Sequence, residues 1–251
     1  NSFCTLLAFR MPRAISCSSV GSLALRWCMT GLGCFTICAA CVLIGDVVFT
    51  MPAVVIPVVF GREGPAYWAH VAFFAAVSFG VFFNYFMATG VDPGGVPLQF
   101  VREVQNRGDR VGYCSRCDIP RPERCHHCIM CGRCVLKMDH HCPWINACVG
   151  FHNQRYFAAF LLYLLLGTAY SGGVLIHVFW LHRGNQYASL RDSLQVTFTF
   201  VLVGSIFFAM LFFVGWNGFM VLSNQTAIEV HGNRVRSQAR PNYRAPFDLG
   251  A

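Results

Sequence analysis

Four long apolar runs punctuate this chain, and a helix needs about 20 mostly apolar residues to cross a bilayer. The first run starts at Trp27, just after Arg26, and reaches about Val48. The second extends from Tyr67 to Thr89, the third from Tyr156 to Leu181 and the fourth from Val196 to Leu222. Only 12% of the 251 residues are charged, against 55% hydrophobic, whereas a soluble domain carries about a quarter charged residues. Lipid must therefore cover part of the surface. The first run is too long for a signal peptide and lacks a small-residue cleavage site. Asp46 is expected at the membrane interface, and Met51 to Phe60, apolar but broken by Pro52 and Pro57, reads as a surface-hugging loop.

The expected fold is thus an all-α membrane protein of four transmembrane helices, with a cysteine-rich domain between helices 2 and 3. Its segments are an N-terminal stretch (1–26), helices 1 and 2 (27–90), the cysteine-rich domain (91–155), helices 3 and 4 (156–223) and a C-terminal stretch (224–251). The lack of an initiator Met and the end within a polar tail are read as marks of a fragment.

Four crossings put both ends of the chain and the 91–155 loop on one side. That side carries 16 of the 19 lysines and arginines, leaving Arg62, Arg183 and Arg191 on the other. The positive-inside bias assigns the crowded side to the cytosol. The net charge of +8 forms no basic stripe, and Lys137 is the only lysine, so nucleic acid is not an expected partner. In a reducing compartment, metal binding or catalysis outranks disulfides as the role of clustered cysteines.

Eight of the 14 cysteines fall between Cys114 and Cys148. Cys114, Cys117, His127 and Cys134 follow the pattern C-x2-C-x9-H-x6-C, and a shift of 14 residues fits it again at Cys128, Cys131, His141 and Cys148. Three thiolates and one imidazole per copy make a closed donor set suited to a structural Zn2+. The copies interleave, so two ions would pin one loop and supply much of its folding free energy. Spacing leaves the histidines open, because His126 and His140 also repeat at 14. The other six cysteines, Cys4, Cys17, Cys28, Cys34, Cys38 and Cys41, read as small apolar packing residues.

Cys142 stands 14 residues after Cys128, but Ile145 occupies the place of its knuckle partner. The thiol is therefore left over, within the run Asp139-His140-His141-Cys142-Pro143-Trp144. A thiol becomes a nucleophile when a neighbouring base takes its proton, and a carboxylate can fix that base's tautomer. Asp139, His140 and Cys142 contain those parts. Local sequence alone is equally compatible with one more structural cysteine. Location decides between them: Cys142 precedes the third run by 14 residues, at the level where a donor's polar head and its lipid tail can both be accommodated. Exchange of an acyl group between thiols is nearly isoenergetic, and the chain carries no P-loop or convincing GxGxxG.

The block from Cys114 to Phe157 resembles the cysteine-rich domain of the DHHC protein S-acyltransferases (palmitoyltransferases). It carries C-x2-C, HHC-x2-C-x2-C and DHHCPW-x-N-x-CVG in order. Asp92-Pro93-Gly94 resembles that family's DPG, Asn224 to Glu229 (NQTAIE) its TTxE, and Ala245 to Gly250 (APFDLG) the start of its C-terminal motif, whose asparagine would lie past Ala251. The resemblance implies that acyl-CoA, typically palmitoyl-CoA, acylates Cys142, and that a protein's juxtamembrane cysteine then takes the acyl group. It further implies His140 as general base, Asp139 as its orienting partner, His127 and His141 as the zinc ligands, and Trp144 at the mouth of an acyl cavity. A eukaryotic endomembrane (endoplasmic reticulum, Golgi or plasma membrane) is the implied location. Two departures stand out. Ala227 replaces the second threonine of TTxE, which removes a side-chain hydrogen bond to the active region, and Ala147 replaces a second asparagine. Cys125 falls at a tolerant position and reads as a spare thiol.

Arg102, Arg107, Lys137 and Arg155 are candidates for the phosphates of CoA, although each reads first as a solvated or topology-setting charge. Gly167, Gly172 and Gly173 suit helix packing. His70 and His177 are expected at the interface without a nameable partner. The competing readings are an inactive membrane-tethered zinc module that recruits partners, and a RING-like ubiquitin ligase, whose spacing fits less well and which gives an unpaired thiol no role.

Overall fold

The computed structural model describes residues 21–182, 190–240 and 242–249. Cys4, Cys17 and Arg183, which entered the reading above, lie outside the described residues, as do Gly250 and Ala251. Helices form where the apolar runs predict them: α1 (Gly21–Thr50), α3 (Pro65–Gly90), α5 (Gln154–His182) and α6 (Leu190–Leu222). The stretches Gly31–Phe60, Pro65–Gly90, Gln154–Trp180 and Asp192–Leu222 are long and apolar enough to cross a membrane. Large apolar side chains such as Phe79, Phe208 and Trp180 remain exposed along them, as expected where lipid rather than protein is the neighbour. The chain is an integral membrane protein of four helices, with the cysteine-rich segment between the second and third.

One compact unit comprises residues 39–85 and 158–218. Its core gathers Met51, Val55 and Ile56 with Phe74, Val174, Leu175, Val178, Val196 and Val203. This corrects the reading of 51–60 as a loop. Met51–Val55 is a π-helical turn, followed directly by α2 (Ile56–Phe60). Pro52 and Pro57 stand at the starts of these segments, but Thr50 and Val55 before them are themselves helical, so the backbone runs on, and the Ile56 N–H reaches back to the Met51 carbonyl. The wider turn accommodates the prolines without breaking the helix.

Asp46 lies within α1 and has side-chain partners on α6. Gln195 Nε2 and Thr199 Oγ1 both donate to its carboxylate, the latter at 2.9 Å, and Gln195 also reaches Thr50 Oγ1 at 3.2 Å. A carboxylate within a span is costly unless donors satisfy it, and these do. His70 likewise has partners: its Nδ1 lies 2.9 Å from Tyr170 Oη and its ring stacks on Phe60 at 3.8 Å.

The second unit comprises residues 86–157, 219–251 and the N-terminal part of the chain through Cys38. Its cysteine-rich part is three antiparallel hairpins of three-residue strands: β1 (Gly112–Cys114) with β2 (Ile119–Arg121), β3 (His126–Cys128) with β4 (Arg133–Val135), and β5 (His140–Cys142) with β6 (Ala147–Val149). The registers repeat every 14 residues, with Cys114 opposite Ile119, Cys128 opposite Arg133 and Cys142 opposite Ala147. The turn residue before each second strand has positive φ: Asp118 at 57°, Gly132 at 63° and Asn146 at 47°. Gly, Asn and Asp are the residues that adopt this left-handed conformation at least cost. The repeat seen in the cysteines is thus a repeat of whole hairpins.

Short strands carry little core, so polar braces fix the hairpins in place. Asp92 Oδ1 accepts from Gly94 N at 2.8 Å and Oδ2 from Arg133 Nη1 at 2.8 Å, while Leu136 N donates to Gly94 O at 2.9 Å. Buried Asn153 donates to Ala88 O and Cys148 O and accepts from Gly150 N. A β-carbon on Gly150 would come within 3.0 Å of Val135, Pro93 O and Leu136 O, so only glycine fits there. The amphipathic helix α4 (Leu98–Arg107) packs against β2.

Helix α7 (Ala227–Ala239) opens on a capping box: Thr226 Oγ1 accepts from Glu229 N at 3.3 Å, and Glu229 Oε2 accepts from Thr226 N at 2.8 Å. Arg124 then grips Glu229 with Nε to Oε1 at 2.6 Å and Nη2 to Oε2 at 2.8 Å, and donates to Asn224 O at 2.9 Å. Burial alone would raise the Glu229 carboxyl, but Arg124 outweighs it and holds the group below the usual carboxylate range. The stabilisation from this pair is therefore present at neutral pH and lost as pH falls through the depressed value. Glu229→Ala strands a largely buried guanidinium, with side-chain exposure of 16% for Arg124. It is expected to cost about 3 kcal/mol in stability, read as a lowered midpoint of thermal unfolding in detergent.

Candidate functional site

The middle hairpin does two jobs. The end of its first strand and the following turn supply a C-x2-C knuckle, and its cross-strand His/Cys pair completes the cluster begun by the first hairpin. The first hairpin supplies a knuckle alone, and the third a His/Cys pair alone. Cys114 and Cys117 meet His127 and Cys134, which face each other across β3 and β4. Cys128 and Cys131 meet His141 and Cys148, which face each other across β5 and β6. This geometry accounts for the interleaving read in the sequence.

In both clusters the four donor atoms lie within 4.8 Å of one another. Nδ1 of His127 is 3.6 Å from Cys114 Sγ and 3.1 Å from Cys117 Sγ. Nδ1 of His141 is 3.7, 3.4 and 3.8 Å from the sulfurs of Cys128, Cys131 and Cys148, and Cys131 Sγ lies 3.4 Å from Cys148 Sγ. Zn–S and Zn–N bonds of roughly 2.3 and 2.0 Å in a tetrahedron imply donor separations of roughly 3.5–3.8 Å. Both sets therefore fit a four-coordinate ion, and each can hold one. His126 and His140 take no part in either cluster.

Cys142 ends β5, the place that Cys114 and Cys128 hold in their hairpins. Here the knuckle is incomplete. A 3-10 turn over Pro143–Ile145 replaces the second cysteine, and among the described residues no fourth hairpin follows to supply a His/Cys pair. The thiol is 7% exposed. His140 Nδ1 lies 2.8 Å from Asp139 Oδ2, and the His140 ring meets Phe157 edge-on at 5.3 Å. Burial would lower His140, but hydrogen bonds with Asp139 and Cys142 outweigh it and hold the imidazole up at about 9.

Asp139, 1% exposed, is fixed from the other side as well: its Oδ1 accepts the backbone N–H of Ala227 at 2.6 Å. Ala227 is the first residue of α7, so the carboxylate sits at a helix N-terminus, where free N–H groups and the dipole favour negative charge. The loss of a threonine hydroxyl at 227 thus leaves a backbone donor to Asp139 in place. Sequence reasoning took NQTAIE only as a resemblance. The T-x-x-E signature of a capping box was the signal that would have placed a helix start there.

Two more residues reach the turn behind Cys142. Thr36 Oγ1 donates to Pro143 O at 2.6 Å, and a β-carbon on Gly33 would fall about 2.1 Å from Asn146 Cγ. Nothing local in the first apolar run marks either residue as part of the site. Trp144, next in the turn, is 55% exposed. Cys125 is buried, and burial pushes its thiol up to about 11, so it is a neutral thiol at pH 7. Arg102 and Arg107 lie exposed on α4, Arg155 is exposed at the start of α5, and Lys137 is half-buried.

The family model for DHHC palmitoyltransferases matches residues 108–233. Among curated proteins, the chain is 44% identical over 126 residues to Palmitoyltransferase PFA3 of Debaryomyces hansenii, covering 49% of this chain and 30% of that protein. It is 37% identical over 123 residues to Palmitoyltransferase ZDHHC15 of Xenopus laevis, covering 49% and 36%. With Probable protein S-acyltransferase 16 of Arabidopsis thaliana, identity is 32% over 200 residues, covering 73% of this chain and 70% of that one. The alignment thus spans about a third of the first two relatives and most of the third. With the family's cysteine-rich region matched over half of the chain, and an S-acyltransferase relative aligned through most of its own length, the chain belongs to the DHHC palmitoyltransferase family.

Proposed function

We propose that the chain transfers a long-chain acyl group, palmitoyl in the first instance, from acyl-CoA to protein cysteines through a thioester on Cys142. The observation that carries this reading is the third hairpin, whose cysteine lacks a metal partner set and stands beside His140 and Asp139. The family's named relatives support it. Each of the two donor clusters takes a structural Zn2+, which supplies folding free energy to a loop with little core.

In the first step the proton of the Cys142 thiol already resides on His140, which is held up to about 9 and so carries it at neutral pH, and the thiolate attacks the thioester carbonyl of acyl-CoA. The bond from that carbonyl carbon to the CoA sulfur breaks, and CoA leaves with the proton returned by His140. In the second step the acceptor cysteine loses its proton to His140 and attacks the Cys142 thioester. Cys142 is released and reprotonated. Asp139 fixes the tautomer and stabilises the imidazolium, and Trp144 borders the entry of the acyl chain. The arginine-rich side, with the cysteine-rich loop, faces the cytosol of a eukaryotic endomembrane, and the acceptors are cysteines that proteins present at its surface.

Incubation of the purified chain with labelled palmitoyl-CoA is expected to yield an adduct that neutral hydroxylamine removes. Failure to form it while both metals stay bound leaves the recruiting-module reading in its place.

Ala227→Pro isolates the positioning of Asp139. Proline suits the first residue of a helix, and Thr226 already has the extended backbone a residue before proline requires, at φ −99° and ψ 162°, so α7 survives. The substitution deletes the N–H and sets a ring carbon against the carboxylate. The rate of adduct formation is expected to fall roughly 10- to 100-fold with KM for the donor little changed, whereas Ala227→Gly, which keeps the N–H, stays near the parent rate. Equal rates for both variants would remove Ala227 from the positioning of Asp139.

A further inference from the structure

The chemistry above leaves unused a cavity of about 490 Å³ lined by Val91, Asp92, Phe151, His152 and Arg155. Its depth in the bilayer follows from the chain. Val91 is the first residue after α3, and Arg155 is the second residue of α5. Both helices are long and apolar enough to cross the membrane, and the loop that joins them keeps these two ends on one side. The cavity therefore lies where hydrocarbon gives way to headgroups.

Its charge is not balanced. The Asp92 carboxylate is already taken by Arg133 and by the Gly94 N–H. Arg155 enters no ion pair among the described residues. It is held in place by Tyr156, with Nη2 donating to Tyr156 Oη at 2.9 Å and the guanidinium 4.7 Å from the ring centroid. A guanidinium and an exposed imidazole from His152 thus meet at one opening, with the Tyr156 phenol behind the guanidinium as its hydrogen-bond acceptor. Phe151, 61% exposed, and Val91 form its apolar side. Guanidinium groups pair best with carboxylates and phosphates, and an apolar wall beside such a group suits an amphiphile.

We propose that this cavity holds the phosphodiester of a membrane phospholipid, with Arg155 donating to its oxygens and Phe151 and Val91 against its glycerol and upper acyl chains. The proposal rests on the membrane placement of the two span ends and not on the acyl-transfer reading. The phosphates of CoA share this chemistry but arrive from water, whereas both walls here are span ends.

The test uses the full chain, delipidated in detergent, with dioleoylphosphatidylglycerol as the probe and retained lipid counted by native mass spectrometry. Arg155→Gln is expected to weaken retention about tenfold, the loss for one charge-assisted hydrogen-bond donor. Arg155→Lys recovers part of it, and Arg102→Gln, on exposed α4, leaves it unchanged. Unacylated CoA and inorganic phosphate, added in excess, do not displace the lipid, and dioleoylglycerol, which lacks the phosphate, is not retained. Metal content equal to the parent's shows that a variant is folded. Equal retention by parent and Arg155→Gln overturns the proposal, as does equal retention of dioleoylglycerol. Displacement by CoA overturns it too, and assigns the cavity to the acyl donor.

Discussion

Cys142→Ser is expected to eliminate the hydroxylamine-sensitive adduct and to cut acyl transfer by at least ~10³-fold, while the protein keeps about two zinc ions per chain. A hydroxyl at this place is far harder to deprotonate than a thiol, and His140 held by Asp139 is matched to the thiol. The metal count makes the result decisive, because among the described residues Cys142 lacks the donor partners that gather round Cys114 and Cys128. Elemental analysis showing one ion fewer in the serine variant would move Cys142 into a donor set and end its role as nucleophile. An adduct that persists in the variant would place the acyl group on another cysteine.

Loss of metal together with the adduct is expected for Cys131→Ser and His141→Ala. Each removes one of four donors from the second cluster, and a structural zinc site supplies on the order of 10 kcal/mol to its fold. That is comparable to the whole stability of a domain, so the loss is not local. His141 and Cys148 face each other on the hairpin that carries Cys142 and His140. Release of such an ion would free the strand that carries Cys142, the proposed nucleophile. We expect at least one zinc to be lost, the 108–153 region to become open to limited proteolysis, adduct formation to disappear, and the four spanning helices to keep their far-ultraviolet circular dichroism. Cys125→Ser, a neutral buried thiol outside both clusters, retains both ions and serves as control. Two ions and an intact adduct in His141→Ala would instead transfer the ligand role to His140 or His126.

Much of this site was legible because its signals are short-range and covalent in spacing. The 14-residue repeat at Cys114, Cys128 and Cys142 reports a hairpin repeated in space, and the missing cysteine at Ile145 reports where it stops. The four spans were legible from apolar length alone. What escaped had no local signature. The Ala227 contact with Asp139 runs through a backbone N–H, which every residue but proline has, across 88 residues of chain. Arg124 and Glu229 are joined across 105 residues, and each alone looks like a solvated charge. The partners of Asp46 escaped for a related reason: Gln195 and Thr199 lie on another helix, and nothing near Asp46 in the sequence announces them. His70 found Tyr170 in the same way.

The π-turn at Met51–Val55 has a consequence of phase. In an ordinary helix a buried stripe returns every three or four residues, but here Thr50, Met51, Val55 and Ile56 are all fully enclosed, a return after five. The wider turn absorbs one extra residue and sets the downstream segment back by about 100° from the phase of a regular helix, so that Ile56 comes round to the same side as Met51. Two prolines that would end a regular helix instead mark where its winding is reset. A hydropathy profile with a single period loses the inward face at that point, although the peptide continues without a break.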